Sequence, residues 1–244
     1  MELALHELRD SLTNDATARR GPSRAEPASA AGARSEPEAN EVNRTPALLL
    51  LHGLGERTPR RVPADCAAWP GRVFGLDLTG HGDSSIPRGG GYTIEILMGD
   101  VDTALAHLGP TTLLGRGLGA YVALLAAGAR PRLVHGAILS DGPGLAGGSA
   151  RPGTPLIPMP DPGALTPPDP FALVELAVDV RPPDYASSFV RQATQLSELE
   201  RPISICTLER PDWLRALLDE PGVQECELSD ALAYYAQPAR RRGA

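Results

Sequence analysis

The chain has 244 residues with a formal net charge of -7, and 42% of its residues are hydrophobic. This length and composition fit one sizeable soluble α/β domain or two small ones, and the acidic balance without a long basic stripe argues against a nucleic-acid partner. The three cysteines, Cys66, Cys206 and Cys226, lack the close sequence pairing of a zinc site or a redox dithiol, so we expect no metal and no cofactor. With no signal-peptide pattern and no long apolar segment, we expect a cytoplasmic protein that does not enter a membrane.

The first 45 residues differ in composition from the rest of the chain. Residues 14–45 have almost no large apolar side chain, which is typical of disorder, and we predict a disordered N-terminal tail over 1–45. Near its start, the spacing of Leu3, Leu5, Leu8 and Leu12 fits one side of a short helix, either a docking segment or a nascent helix in a mobile end.

From residue 46 onward, short apolar runs alternate with helical apolar periods. The apolar runs predict buried strands, and the three- and four-residue apolar spacing predicts helices between them. The predicted strands are 47–51, 72–78, 111–114 and 136–140, and the predicted helices are 94–108 and 120–129. This alternation indicates a mostly parallel sheet with helices on both faces.

A proline-rich segment interrupts the alternation. Residues 143–183 carry too many prolines for regular strands, and only a short helix over 171–178 is expected there. A strand at 203–208 and two helices, near Trp213 and near Leu232, resume the pattern. We therefore divide the chain into a tail (1–45), a first core part (46–145), a cap or insert (146–200) and a second core part (201–244).

The glycines between the predicted strand 111–114 and the following helix permit two interpretations. Gly115, Gly117 and Ala120 satisfy the relaxed dinucleotide-binding pattern, and Asp141 follows about 20 residues later, where a ribose-binding acid belongs. Alternatively, the glycines form the strand-to-helix turn of hydrolases, in which the middle residue, here Gly117, carries the nucleophile.

Two upstream motifs favour the second interpretation. His52, Gly53, Leu54 and Gly55 follow the first core strand, and residues 77–84 read D-L-T-G-H-G-D-S after the second. In this order and spacing, these segments and the glycine turn resemble the α/β-hydrolase family over roughly residues 46–144. The resemblance implies a nucleophile on the turn, a histidine after the last strand, an acid that orients the histidine, and an oxyanion pocket of backbone N–H groups.

This chain departs from that pattern at two positions. Gly117 has no side-chain nucleophile, and the five histidines, His6, His52, His81, His107 and His135, all precede the C-terminal core part. An acid is available in Glu209, Asp212 or Asp141, yet without the late histidine it has nothing to orient. The family's triad is therefore incomplete, and Asp141 is the single tentative catalytic residue.

A binding pocket is nevertheless expected, because backbone N–H groups survive any substitution. The resemblance assigns the oxyanion donors to Leu54 and Leu118, and Arg116 would add a positive charge for an acidic ligand. The predicted binding residues are His52, Gly53, Leu54, Arg116, Gly117, Leu118 and Asp141.

Three functions remain open at this point. The first is binding of a small molecule or a protein in the former active-site cleft without hydrolysis. The second is a hydrolase or lyase with relocated residues, in which Asp141, His52 or His81 takes part. The third is a scaffold that binds partners, and dinucleotide binding through residues 115–120 is a further alternative. An open pocket around Leu54 and Leu118 would favour the first two, and a filled one the scaffold.

Overall fold

A seven-stranded sheet forms the centre of the computed structural model, which describes residues 2–8, 45–148 and 166–237. The strand order is β1-β3-β2-β4-β5-β6-β7, with β1 antiparallel to β3 and all other neighbours parallel. The strands are β1 (Ala4–Leu8), β2 (Ala47–Leu51), β3 (Val73–Asp77), β4 (Thr111–Arg116), β5 (Val134–Ser140), β6 (Ile203–Cys206) and β7 (Val223–Glu225). The predicted mostly parallel α/β architecture is confirmed.

Helices cover both faces of the sheet. They are α1 (Ile94–Leu108), α2 (Leu118–Ala129), α3 (Pro170–Val178), α4 (Pro183–Leu196), α5 (Asp212–Arg215) and α6 (Leu228–Tyr235). Helix α1 has the predicted bounds, because Thr93 caps its first turn by accepting the Ile96 N–H and Gly109, at φ 76°, ends it.

The hydrophobic core has two layers, one on each face of the sheet. Because side chains alternate along a strand, Leu49 and Leu51 of β2 face the layer that contains α1, α2 and α4, whereas Leu48 and Leu50 face the opposite layer. The opposite layer contains Cys66, Trp69 and α6. Helix α2 is buried along its whole length, so the turn that precedes it is held rigidly at the carboxyl edge of the sheet.

Two segments differ from the sequence-based expectations. Residues 4–8, predicted as a short helix in a disordered tail, form the edge strand β1, because pairing with β3 satisfies their backbone and places Leu8 in the core. Residues 183–196, predicted as part of the cap, form α4, which packs on α2 so closely that a Cβ at Gly128 would lie 2.6 Å from the Phe189 carbonyl oxygen. The remainder of the predicted tail, 9–44, and residues 149–165 of the cap lie outside the described residues.

Candidate functional site: the turn between β4 and α2

Gly117 lies at the tip of a sharp turn between β4 and α2. Its φ of 57° and ψ of -116° are strained for any residue with a side chain, and it caps the N-terminus of α2. The flanking glycines permit close approach of backbone to backbone. A Cβ at Gly115 would lie 2.2 Å from the Gly119 carbonyl oxygen, and one at Gly119 would lie 2.4 Å from the Leu51 carbonyl oxygen. The turn therefore has the strand, strained residue and helix arrangement of a nucleophile turn.

The two N–H groups predicted to form the oxyanion pocket share one acceptor within the chain. Leu54 N–H and Leu118 N–H both donate to the Pro143 carbonyl oxygen, at 3.0 Å and 2.9 Å. In the family, donors of this kind hold a carbonyl oxygen as it becomes negative. Here both predicted donors are used within the chain, by the Pro143 carbonyl oxygen.

The space beyond Gly117 is filled by the same loop. A Cβ built on Gly117 would lie 2.1 Å from the Pro143 carbonyl oxygen and 2.6 Å from the Gly142 carbonyl carbon. Both neighbours are backbone atoms, which cannot move aside by a change of rotamer. A serine at position 117 therefore requires displacement of residues 142–143.

The first turn of α2 also offers no donor for a dinucleotide. Gly117, Leu118 and Gly119 donate their N–H groups to the carbonyl oxygens of Ser140, Pro143 and His52. A pyrophosphate at this position needs free N–H groups at the helix N-terminus, and all three are used within the chain. The structure therefore does not support the dinucleotide interpretation of residues 115–120.

His52 and His81 lie side by side beneath the turn, with ring centroids 5.0 Å apart. His52 Nδ1–H donates to the Gly53 carbonyl oxygen at 2.8 Å, and its Nε2 accepts the Leu78 N–H at 3.0 Å. His81 Nδ1–H donates to the Thr79 carbonyl oxygen at 3.2 Å, and its Nε2 is buried without a partner. Burial lowers the pKa of both imidazoles, and with the neighbouring His52 ring it brings the pKa of His81 to about 4. Both rings are neutral at pH 7.

Asp141 binds the loop that follows β6. Its two carboxylate oxygens accept the N–H groups of Leu208 and Glu209, at 2.6 Å and 3.1 Å. The sequence suggested a ligand contact or a cap of the adjacent glycine turn, and the observed role is a link between the ends of two neighbouring strands. Of the other candidate acids, Asp212 pairs with Arg215, and Glu209 contacts Asp141 through its backbone N–H.

Arg116 is tied to a neighbouring carboxylate. Its Nε donates to both Glu56 carboxylate oxygens, at 3.1 Å and 3.0 Å, and its Nη1 donates to the Asp141 carbonyl oxygen at 3.0 Å. The Glu56 carboxylate also accepts the Gly53 N–H. The predicted cation therefore lies in the site region, partly exposed, with its charge balanced by Glu56.

An open cleft lies beside the filled turn, at the carboxyl ends of β2, β4 and β5. Its volume is about 610 Å³, and it is on the sheet face opposite α2. Its lining includes apolar residues from the strands and from residues 59–66, together with three of the predicted site residues, His52, Arg116 and Asp141. The cleft thus brings three of the seven predicted binding residues to one place, while Leu54, Gly117 and Leu118 surround the Pro143 carbonyl.

Two features of this region were not predicted. The Pro143 carbonyl comes from a loop 25 residues beyond the turn, and no local pattern signals where it will lie.

Asp77 is fully buried and joins β3 to two loops by accepting the N–H groups of Thr58 and Asp83, together with His6 Nε2–H. Burial alone would raise the pKa of this carboxyl, but these hydrogen bonds hold the pKa below its usual value. His6, Asp77 and Asp83 cluster closely enough for a cation, yet the Asp77 oxygens already accept backbone donors.

Comparisons with known proteins agree with the observed fold. Residues 46–199 match the alpha/beta hydrolase fold family, so this chain belongs to the α/β-hydrolase fold family. No curated protein matches the chain by sequence.

Solved structures of the same fold superpose over most of the chain. The thioesterase domain from the curacin biosynthetic pathway is 18% identical, with a TM-score of 0.52 over 79% of this chain and 90% of that domain. Rv0554 from Mycobacterium tuberculosis is 14% identical, with a TM-score of 0.53 over 78% and 89% of the two chains. Est1E from Butyrivibrio proteoclasticus, with ferulic acid bound, is 12% identical, with a TM-score of 0.52 over 83% and 89%. At these identities the likeness concerns the fold.

Among the described residues, no helix combines the length and apolar character needed to cross a bilayer.

Proposed function

We propose that this chain is a divergent α/β-hydrolase-fold protein that binds a small molecule and does not hydrolyse esters through the family's triad. The observation that carries the proposal is the Pro143 carbonyl oxygen, which accepts the Leu54 and Leu118 N–H groups and occupies the space beyond Gly117. A single backbone oxygen thus fills both the place of a nucleophile and the place of a substrate oxygen.

The residues around the turn support the absence of acyl transfer. The resemblance places the family's histidine after the last strand, and here β7 is followed by Cys226 and Glu227. The two histidines near the turn are used in other contacts, since His52 uses both ring nitrogens within the chain and the buried His81 donates Nδ1–H to the Thr79 carbonyl oxygen. Gly117 also has no side-chain proton for a base to take. Acyl transfer would lack its nucleophile, its base and its oxyanion donors.

The ligand site that the geometry favours is the cleft of about 610 Å³ beside the turn. Leu50, Leu114 and Leu228 supply an apolar lining, while Arg116 and Asp141 contribute polar groups, and such a mixture is typical of small-molecule sites. The site is therefore displaced from the predicted pocket, which the chain fills itself. We also propose a reducing, cytoplasmic location, which the free thiols of Cys66, Cys206 and Cys226 support.

A hydrolysis assay tests the catalytic half of the proposal. Purified protein is mixed with a panel of short and long acyl esters, and Asp141→Ala and the surface variant Asp219→Ala are measured in parallel. We expect no turnover above the uncatalysed rate for any of the three. Turnover that disappears in Asp141→Ala and persists in Asp219→Ala would contradict the proposal and establish a hydrolase with relocated residues.

A binding screen tests the other half. Small apolar molecules with one polar group are screened for an increase in melting temperature, because a ligand that binds only the folded state stabilises it. Leu228→Trp fills the cleft, and Leu196→Trp makes the same change at an exposed helix end. Binding that is lost only in Leu228→Trp supports the cleft. Binding that survives Leu228→Trp, or a screen without any binder, would overturn this assignment and favour the scaffold hypothesis.

A further inference from the structure

A buried arginine lies far from the cleft, beneath the loop that fills the turn. Arg181 is in the short connection between α3 and α4, and its side chain is only 4% exposed. It borders a separate cavity of about 390 Å³, which is lined mainly by glycines and apolar residues, namely Ala146, Gly147, Gly148, Val180, prolines 182, 183 and 211, and Trp213. Asp212 also lines the cavity, and its carboxylate pairs with Arg215. A charged group in such an apolar setting needs a counter-charge or hydrogen-bond partners, since burying an unpaired charge is strongly unfavourable.

Only one side of the Arg181 guanidinium is satisfied by the protein. Nη1–H donates to the Leu145 carbonyl oxygen, which also accepts Trp213 Nε1–H at 2.9 Å. The guanidinium carbon lies 4.8 Å from the centre of the Tyr121 ring, an arrangement that stabilises a cation. Nε and Nη2 are buried and have no hydrogen-bond partner among the residues that the structure describes.

The charge of Arg181 is not balanced by a nearby carboxylate. Within the described ranges, no Asp or Glu oxygen lies within 4.0 Å of its guanidinium, although Asp179 is near enough to act on it electrostatically. Burial lowers the pKa of Arg181 to about 10, so the side chain is still a cation at neutral pH. A buried cation with two unused hydrogen-bond donors is suited to bind an anion.

The free donors have a specific geometry. Nε–H and Nη2–H lie on the same edge of the planar guanidinium and point in parallel, which matches the two oxygens of one carboxylate. Gly147 borders this edge, and a Cβ there would lie 2.5 Å from Nε and 2.9 Å from Cζ. The Tyr121 hydroxyl, on the ring beneath the guanidinium, is likewise buried without a partner. Because residue 147 is a glycine, no Cβ occupies the space beside the Nε end of this Arg181 edge.

We infer that Arg181 anchors a second ligand site, in which a small organic carboxylate pairs with the Nε and Nη2 edge and its apolar body lies in the cavity of about 390 Å³. The apolar lining favours a carboxylate with a hydrocarbon body over inorganic phosphate. Because both nitrogens are covered, the carboxylate reaches them when residues 147–148 move. This segment is tied to the end of α3 by the Gly148 N–H, which donates to the Asp179 carbonyl oxygen, and by a parallel bridge between Gly148 and Val180. This inference is independent of the cleft and of the proposed function.

Calorimetric titration of the full chain tests the inference with benzoate, its neutral isostere benzamide, and inorganic phosphate. Arg181→Met removes the charge at similar volume, and Arg181→Lys keeps the charge but loses the two-donor edge. Arg201→Met makes the same change at an exposed arginine. Trp213 fluorescence, read in a Trp69→Phe background, reports whether the ligand lies in this cavity.

We expect benzoate to bind at least about tenfold more tightly than benzamide and phosphate, because a two-donor charged contact is worth that much or more. Arg181→Lys should weaken benzoate about tenfold, Arg181→Met should abolish binding, and Arg201→Met should leave it unchanged. Equal binding of benzoate and benzamide, no benzoate binding up to about 10 mM, or undiminished binding by Arg181→Met would overturn the inference. Tighter binding of phosphate would overturn the carboxylate assignment. If Arg181→Met does not fold, the comparison of benzoate with benzamide decides on the unaltered chain.

Discussion

The turn at Gly117 and the surroundings of Arg181 differ in whether the chain itself provides acceptors for their hydrogen-bond donors. At the turn, the N–H groups of residues 117–119 all find backbone acceptors, and the family's oxyanion donors are paired with Pro143. At Arg181, two N–H groups of the positively charged guanidinium have no partner in the described part of the chain. A region in which the chain satisfies its own donors has no requirement for a ligand, whereas a region with unsatisfied buried donors gains most when one binds. The two proposed ligand sites therefore lie outside the pocket that the family motifs predict.

The strongest test of the filled turn is Gly117→Ser. The added side chain would overlap the Pro143 carbonyl and hold a residue with a Cβ at φ 57°, so we expect a loss of about 3 to 4 kcal/mol in unfolding free energy. Chemical denaturation measures the loss, and no ester hydrolysis should appear.

The matched control for that substitution is Gly99→Ser, on an open face of α1 where an added Cβ would meet nothing within 4 Å. Its effect should stay within about 1 kcal/mol. Equal effects of the two substitutions would mean that the loop over Gly117 moves aside freely, and the turn would then be an open site.

The next largest predicted effect is a loss of unfolding free energy in acid, and it originates at His81, beside the turn. Burial and the His52 ring lower the pKa of His81 from 6.5 to about 4. Between these values the unfolded chain binds more protons at His81 than the folded chain, so the contribution of His81 to the unfolding free energy falls as the pH falls, by about 3 kcal/mol. Denaturation curves from pH 7 to pH 4 measure this slope.

Two variants separate His81 from the other titrating groups. His81→Gln should flatten the slope in that window, and His107→Gln, at an exposed position of α1, should leave it unchanged. A slope that is the same in His81→Gln as in the unaltered chain would show that His81 is not buried as a neutral ring.

A smaller effect is expected at Asp141. Asp141→Ala leaves the N–H groups of Leu208 and Glu209 without their acceptor, and we expect a loss of about 2 kcal/mol in unfolding free energy. Asp219→Ala, at an exposed position, is the control and should change stability by less than about 0.5 kcal/mol. A negligible effect of Asp141→Ala would free this carboxylate for a ligand and weaken the contrast between the two regions.

The smallest change is expected where a charge is removed from the core. Arg181→Met replaces an unbalanced buried cation by an apolar side chain of similar size, so the unfolding free energy without added carboxylate should stay within about 1 kcal/mol or rise. Thermal and chemical denaturation both measure it. A loss of several kcal/mol would instead show that Arg181 is a structural anchor for the Leu145 carbonyl.

Sequence reasoning reached those parts of the molecule that local patterns determine. Helix α1 follows from its apolar spacing and from Thr93 and Gly109 at its ends, and the turn at Gly117 follows from three glycines after a strand. The Pro143 carbonyl and the burial of Arg181 depend on contacts between segments far apart in sequence. Strand β1 depends on its pairing with β3 across some 70 residues, and without that pairing its leucines fit a helix equally well.

Strand β1 also determines where the chain leaves the sheet before residues 9–44. Leu8 lies opposite Val73 and Val73 opposite Leu48, so the chain leaves the sheet and returns to it at the edge where the parallel strands begin, away from both candidate sites. The segment 9–44 is thus joined at both ends to residues that lie at one edge of the sheet. A protease cut within it would release no fragment as long as the five-residue ladder with β3 holds, and the two pieces would remain one folded particle.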